Sequence, residues 1–208
     1  MKSILRIVIV LCIIGTLAVL VLLYQRSLLD VGVPQVAGPS DDRLVYTTQD
    51  FGFSFKYPKD FELREDLEQV PWEFGALMNT RPLVRISIPK ETTRGSNLSE
   101  AGVDVIAVRD EQKIRDCLAP PEFEVHGQKV IGGQVFTAFT QSGAAAGNFY
   151  EIASYRRIAG DVCLVFDLFM HSISIANYDP AQGIREFNRN ATIGALESIV
   201  NTYTVIPQ

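Results

Sequence analysis

The chain has 208 residues, of which 47% are hydrophobic and 21% charged, and its formal net charge is -5. That length allows one substantial domain plus a further segment, and that composition argues against extensive disorder. Residues 1–40 carry a net +2, which taken from -5 leaves -7 for the rest of the chain. An acidic domain argues against nucleic acid as a partner, because nucleic-acid-binding surfaces are usually basic.

The N-terminal part of the sequence predicts a membrane anchor. Residues 7–24 contain no charged side chain, and as a helix they would span roughly 27 Å, about one hydrocarbon core. Lys2 and Arg6 precede this run, so the positive-inside rule predicts a cytoplasmic segment at residues 1–6. Residues 25–42 then form a linker that contains prolines and glycines, and residues 43–208 form an extracytoplasmic domain.

A cleavable signal peptide and a lipoprotein are the two alternatives to an uncleaved anchor. A cleavable signal peptide needs a small-x-small site soon after the apolar run, and residues 24–29 offer none. A lipoprotein needs a small residue next to the modified cysteine, whereas Val10 and Leu11 precede Cys12. The sequence therefore favours a signal-anchor that stays attached.

The first half of the domain predicts strands separated by turns. Residues 43–48 and 51–58 flank a Gln49–Asp50 turn, and aromatic side chains alternate along the second of these strands. Further strands are predicted at residues 61–65, 83–88 and 103–108, with a polar loop at residues 90–97. Asp110 is placed to cap a short helix that ends before Pro120.

The second half predicts hairpins followed by a long helix. Gly132–Gly133 joins strands at residues 129–131 and 134–141, and residues 143–147 form a loop of small residues. A larger hairpin follows at residues 148–172. Asp179 and Pro180 combine a cap with a helix-starting proline, so we expect a helix from residue 180 to about Val200. A final strand is predicted at residues 202–206.

The hairpin over residues 148–172 is the predicted centre of the fold, with its turn at Gly160–Asp161. Its second strand is apolar on one face and largely apolar on the other, which is typical of a central strand covered on both sides. The first face carries Val162, Leu164, Phe166, Leu168 and Met170, and the second carries Cys163, Val165, Asp167, Phe169 and His171. The predicted fold class is α+β, a twisted antiparallel sheet packed by helices on at least one face.

The tracts at residues 46–61, 177–180 and 196–205 resemble those of the PsbP-like α/β/α sandwich superfamily, and in particular small N-terminally anchored bacterial proteins of that type. The resemblance covers roughly residue 43 to the C-terminus. It implies the sandwich fold and a role as an accessory or binding protein, as for members that act in photosystem II or on a small GTPase. None of the site residues of those members can be matched in this sequence.

Cys117 and Cys163 are the two cysteines of the domain, and outside the cytoplasm such a pair tends to oxidise. We expect a disulfide between them, which would tie the short helix to the central strand. Two buried free thiols and a catalytic thiol are the alternatives. A sortase-like transpeptidase is disfavoured, because the expected Thr-Leu-x-Thr-Cys is replaced here by residues 160–163 with the sequence GDVC.

Asp167 and His171 invite an acid/base interpretation, but four residues along one strand separate them by roughly 13 Å. We therefore expect two separate polar groups. His126 lies beside Gly127 and is predicted to be a solvated turn residue. Two histidines without clustered ligands predict no metal site, and we expect no cofactor.

Trp72, the single tryptophan, is either a groove-lining contact or a loop residue packed on the sheet. The sequence predicts a non-catalytic binding or accessory module attached to the membrane, with an extracytoplasmic protein, glycan or lipid as its partner and no nucleic acid. A structural envelope component that self-associates is one alternative. A hydrolase or transferase with a dispersed site, using Cys163, Asp167 or His171, is the other.

Overall fold

The structure is a computed structural model, and it describes residues 42–65, 67, 80–120 and 123–207. The compact unit of the domain begins at Asp42. Within these ranges no helix is long and apolar enough to cross a membrane. The predicted segments 1–6 and 7–24, nearly all of the linker 25–42, and Trp72 lie outside the described residues.

The described strands form two antiparallel sheets, whereas the sequence predicted one. The larger sheet has seven strands in the order β3-β4-β5-β9-β8-β7-β6, and the smaller has the order β1-β2-β10. The strands are β1 (Arg43–Thr48), β2 (Phe53–Pro58), β3 (Glu62–Arg64), β4 (Val84–Ser87), β5 (Leu98–Val108), β6 (Glu124–Ile131), β7 (Gln134–Ala145), β8 (Asn148–Ala159), β9 (Val162–Ile173) and β10 (Thr204–Val205).

Helices are few in the described part of the chain, which is α+β with a large antiparallel sheet. They are α1 (Lys90–Thr93), α2 (Glu111–Asp116) and α3 (Arg189–Val200), with 3-10 turns at Ile175–Asn177 and Pro180–Gln182. Asp110 caps α2, as its position predicted, because its carboxylate accepts a hydrogen bond from the Lys113 backbone N–H. The predicted polar loop at residues 90–97 contains the single turn of α1.

Strand β9 is the middle strand of the large sheet, as the sequence predicted. Its nine residues from Val162 to Met170 are all buried. We call the two sides of the large sheet the helix face, which carries Leu164 and Phe166, and the disulfide face, which carries Cys163 and Asp167. The predicted Gly160–Asp161 turn joins β8 to β9.

The main core lies on the helix face. The small sheet supplies Phe53 and Phe55, and α3 supplies Leu196 and Ile199, and all four pack in one cluster with Phe166 of β9. The rings of Phe53 and Phe55 meet the Phe166 ring edge-on at centroid distances of 6.4 and 6.1 Å. Aromatic contacts of this kind hold the small sheet against the large one.

The predicted helix at residues 180–200 was wrong in its first half. Pro180–Gln182 form one 3-10 turn, which ends at Gly183 in the left-handed conformation with φ of 67°. The chain then runs extended until Asn188 caps α3 by accepting a hydrogen bond from the Ala191 N–H. A cap and a proline started a helical turn, and the glycine stopped it after one.

Candidate functional site

A groove of about 840 Å³ lies on the helix face, where the ends of β7, β8 and β9 meet the start of α3. Its apolar part includes Phe149, which is 46% exposed, and Ile175, which is 36% exposed. The lining also contains hydroxyl and charged side chains, which belong to Ser142, Ser174, Glu151, Glu186 and Arg189. The groove therefore offers an exposed aromatic ring beside hydrogen-bonding side chains.

The β7–β8 turn forms one wall of the groove. Ala146 and Gly147 both have positive φ, 49° and 79°, as a two-residue turn between paired strands requires. A Cβ on Gly147 would lie 2.3 Å from the Asn177 amide nitrogen, so this position cannot carry a side chain without movement. The predicted loop at residues 143–147 is thus strand up to Ala145, followed by a tight turn packed on the first 3-10 turn.

Asn97 holds the opposite wall in place. Its side-chain nitrogen donates to the Ile173 carbonyl at 2.8 Å, and its side-chain oxygen accepts from the Phe187 N–H at 2.9 Å. Its backbone N–H donates to the Arg185 carbonyl at 2.9 Å. These bonds tie the end of β9 to residues 185–187 and keep those residues extended, so that α3 starts only after them.

Arg189 and Glu151 form an ion pair at the groove, with Nε 2.5 Å from Oε2. The arginine side chain is 57% exposed and the glutamate 29%. Pairs exposed to this degree add little to stability, because solvent screens them. Both charges are therefore accessible for contact with a bound molecule.

Asp167 and His171 do not come together. Asp167 is buried and accepts a hydrogen bond from Ser154 Oγ at 2.5 Å, whereas the His171 ring lies 2.9 Å from Asn148 Oδ1 and stacks on Tyr150 at 4.5 Å. Burial raises the pKa of Asp167 and lowers the pKa of His171. The two side chains therefore have separate environments, which agrees with the spacing argument.

Asp167 belongs to a row of buried polar groups that crosses four strands on the disulfide face. The strand register places Arg85 opposite Asp104, Asp104 opposite Asp167, and Asp167 opposite Ser154. Arg85 binds Asp104 through two hydrogen bonds of 2.6 and 2.7 Å. Burial raises the pKa of Asp104, although its contact with Arg85 opposes the rise.

Arg156 completes this row and is fully buried. Its Nε donates to Ser154 Oγ at 2.8 Å, so the hydroxyl accepts from the arginine while it donates to Asp167. The guanidinium lies 4.5 and 5.0 Å from the ring centroids of Phe123 and Phe139. Burial lowers the pKa of Arg156 to about 10, so the group stays charged at neutral pH. The sequence placed Asp167 on this face but gave no sign of its partners.

The predicted disulfide is present and joins Cys117, just after α2, to Cys163 on β9. Both cysteines are fully buried, and the Cys117 carbonyl accepts a hydrogen bond from Arg156 Nη1 at 3.3 Å. The bond excludes the alternatives of two free thiols and of a catalytic thiol, because neither sulfur is available as a nucleophile.

His126 lies on β6 and is solvated as predicted, although in a bulged strand and not in a turn. Its Nε2 is 2.6 Å from Thr140 Oγ1 and 3.9 Å from Glu124 Oε2. Both groups lie near the same ring nitrogen, Nε2. In a catalytic triad the carboxylate instead binds the ring nitrogen opposite the one that faces the nucleophile, so this arrangement is not a triad. Within the described ranges no group of three or more His, Cys, Asp or Glu could hold a metal ion.

No protein-family model and no curated protein matches the sequence. Among solved structures the chain is similar to a protein from Bacteroides thetaiotaomicron, with a TM-score of 0.47 and 11% identity. The match covers 80% of this chain and 50% of that one, so this chain spans about half the length of that protein.

Two further solved structures are similar at about the full length of their chains. Cyanobacterial PsbP from Synechocystis matches with a TM-score of 0.40 and 11% identity over 83% of this chain and 98% of that one. LpqN of Mycobacterium tuberculosis, described as involved in cell envelope biogenesis, matches with a TM-score of 0.40 and 12% identity over 79% and 91%. A PsbP protein is thus among the similar structures, as the sequence resemblance predicted, and the similarity concerns the fold alone.

Proposed function

We propose that this protein is an extracytoplasmic binding module, held at the membrane by residues 7–24, which recognises a glycan in the groove beside Phe149. The observation that carries the proposal is the exposed Phe149 ring set among hydroxyl, carboxylate and guanidinium groups. A sugar presents an apolar face of C–H groups and a rim of hydroxyls. The first stacks on an aromatic ring, and the second needs side chains that both donate and accept.

The lining favours a glycan over an extended peptide. A peptide that adds to a sheet needs free backbone donors and acceptors along an edge. Strands β7, β8 and β9 are interior strands, and each is paired with neighbours on both sides. Recognition in this groove therefore depends on side chains, which suits hydroxyl-rich ligands. A lipid chain would need a longer apolar lining than Phe149, Ile175, Phe187 and Ala144 provide.

The disulfide supports the extracytoplasmic location. Disulfides persist in oxidising compartments and are rare in the cytosol. The Cys117–Cys163 bond is buried in the core of the disulfide face, where it joins α2 to the central strand. Attachment through residues 7–24 is the part of the proposal that rests on the sequence.

The test is binding of three hexasaccharides to the full chain in lipid nanodiscs, which avoid sugar-based detergents. The hexamers are β-1,4-N-acetylglucosamine, β-1,3-glucose and β-1,4-mannose, and calorimetry measures Kd. We expect saturable binding of at least one hexamer. Replacement Phe149→Ala should weaken it about tenfold, which corresponds to about 1.4 kcal/mol.

Ile158→Ala is the matched control. Ile158 lies on the same strand, is 41% exposed, and points to the disulfide face, away from the groove. Its Kd should stay within about twofold of the wild type, since surface changes away from a site have small effects. Failure of all three hexamers to saturate, or equal Kd values for Phe149→Ala and the wild type, would contradict the proposal.

Self-association remains a second candidate, favoured by exposed valines on the disulfide face. Val130 and Val135 are paired across β6 and β7 and are 69% and 54% exposed. Sedimentation of the full chain in nanodiscs loaded with one or more copies measures this candidate. A dimer that Val130→Asp dissociates would support it, and a monomer at all concentrations would exclude it.

A further inference from the structure

We propose that the groove is one part of a longer trough, whose occupant is a linear glycan of about four sugar residues that crosses β9, β8, β7 and β6. This inference rests on the function proposed above and specifies the length and path of the ligand. It assigns Arg189 and Glu151 to the middle of the site and Thr140 to its far end.

The trough consists of two cavities that meet. The second cavity, of about 460 Å³, is lined by Thr140 and His126 among others, and it shares Ser142, Glu151 and Arg189 with the groove. The strand register places Ser142 opposite Glu151, and Thr140 lies two residues from Ser142, so these three side chains are on the helix face. The helix face of the sheet therefore forms the floor of both cavities.

The path of the trough runs diagonally across the strands. Phe149 is on β8, Ser142 and Thr140 are on β7, and His126 is on β6, while Ser172 of β9 lines the other end. Neighbouring strands are about 4.8 Å apart, so four strands span roughly 14 Å, and the four residues of β7 from Ala144, which is opposite Phe149, to Thr140 add roughly 13 Å along the strands. The diagonal is therefore roughly 19 Å, or about four linked pyranose rings. A single sugar stacked on Phe149 would occupy only about the first quarter of this length.

The middle of the trough carries groups suited to neighbouring hydroxyls of a sugar. Among the described residues Arg189 binds Glu151 through Nε, and more than half of its side chain is exposed, so its other N–H donors face solvent where a ligand could bind. Glu151 supplies carboxylate acceptors beside them. At the far end the Thr140 hydroxyl and the His126 ring lie 2.6 Å apart and offer a second polar pair.

Chain-length dependence tests the inference. The probes are oligomers of one to six residues of N-acetylglucosamine, or of glucose or mannose where only that hexamer binds, measured with the full chain in nanodiscs. We expect Kd to fall about tenfold or more between dimer and tetramer and then to level, because longer chains leave the trough. Phe149→Ala should weaken binding of the dimer and the tetramer alike.

Thr140→Val separates the far end from the groove. It should weaken tetramer binding about fivefold and leave dimer binding within about twofold, since Thr140 lies four residues along β7 from Ala144, the residue opposite Phe149, and only the tetramer covers that distance. Thr137→Val, on the same strand but on the disulfide face, should change neither. Thermal unfolding of each variant checks that the fold is intact.

The two proposals fail in different ways. Dimer and tetramer affinities that are equal, or a Thr140→Val effect of the same size on both, would refute the trough and leave the Phe149 groove in place. Absence of binding by every hexamer would refute the glycan function itself, and the trough with it.

Discussion

Reduction of the Cys117–Cys163 disulfide should lower the free energy of unfolding by about 4 kcal/mol. The bond closes a loop with a sequence separation of 46 residues. Loop-closure entropy for that length gives roughly 4 kcal/mol at 25 °C. Domains of this size unfold with a free energy of about 5–15 kcal/mol, so the bond supplies a large fraction of the total.

The assay is thermal unfolding of the full chain followed by circular dichroism, with and without reductant. For domains of 150–250 residues each kcal/mol shifts Tm by about 2–4 °C, so we expect a decrease of roughly 8–16 °C. Thiol titration of the denatured chain gives the redox state independently. Cys12 should titrate alone in the oxidised protein, and all three cysteines of the chain should titrate after reduction.

A double replacement, Cys117→Ala with Cys163→Ala, removes the bond without reductant. It should lower Tm at least as far as reduction does, because it also deletes two fully buried sulfur atoms. A reduced chain that keeps the Tm of the oxidised chain, with three thiols titrating, would contradict this stabilisation by the disulfide. That result would mean that the unfolded chain is already constrained near these residues, or that strain in the native state cancels the entropy.

Two further predictions concern the buried polar row. Ser154→Ala should lower the free energy of unfolding by about 2–3 kcal/mol, because it leaves the Arg156 Nε donor and the Asp167 acceptor unpaired in the core. Denaturant titration measures this, and Ser142→Ala, which removes an exposed hydroxyl, should cost under about 0.5 kcal/mol; a similar loss for both would contradict the argument. Asp167→Asn tests pH dependence. Burial raises the pKa of Asp167 in the folded chain, so the folded state holds its proton after the unfolded state has released it near pH 4. The stability of the wild type therefore falls as pH rises from about 4 through the folded pKa, and the Asn variant lacks this contribution. We expect the Tm deficit of the variant to be largest near pH 4 and to shrink toward pH 7, and a deficit that grows with pH would show that Asp167 is ionised in the fold.

The central hairpin was predictable because its signals are local. Alternating side chains defined both faces of β9, and the apolar content of both faces indicated a middle strand, which is its place in the sheet. Glycine and aspartate marked the turn between β8 and β9. The cysteine pairing was also predictable, since the domain contains only two cysteines and the predicted compartment favours their oxidation.

The start of α3 was not predictable from local signals. Asp179 and Pro180 have the residue types of a helix start, and they do form one helical turn. Gly183 ends that turn, and a distant residue, Asn97, then binds the backbone at Arg185 and Phe187 and keeps these residues extended. The hydrogen bond joins residues 90 positions apart, so the hydrophobic periodicity of neither segment could have predicted it.

The sequence by itself determined the α+β class, the central strand, the disulfide and the acidic character of the domain, because each follows from composition or from alternation along a single strand. Tertiary structure alone decided the separate small sheet, the buried row from Arg85 to Arg156, and the groove beside Phe149. These features depend on strand order and register, which bring together side chains from strands that are far apart in the sequence. The hairpin that organises the chain therefore supplies the frame, while its strand ends, joined by Asn97 and Arg189, form the candidate binding surface.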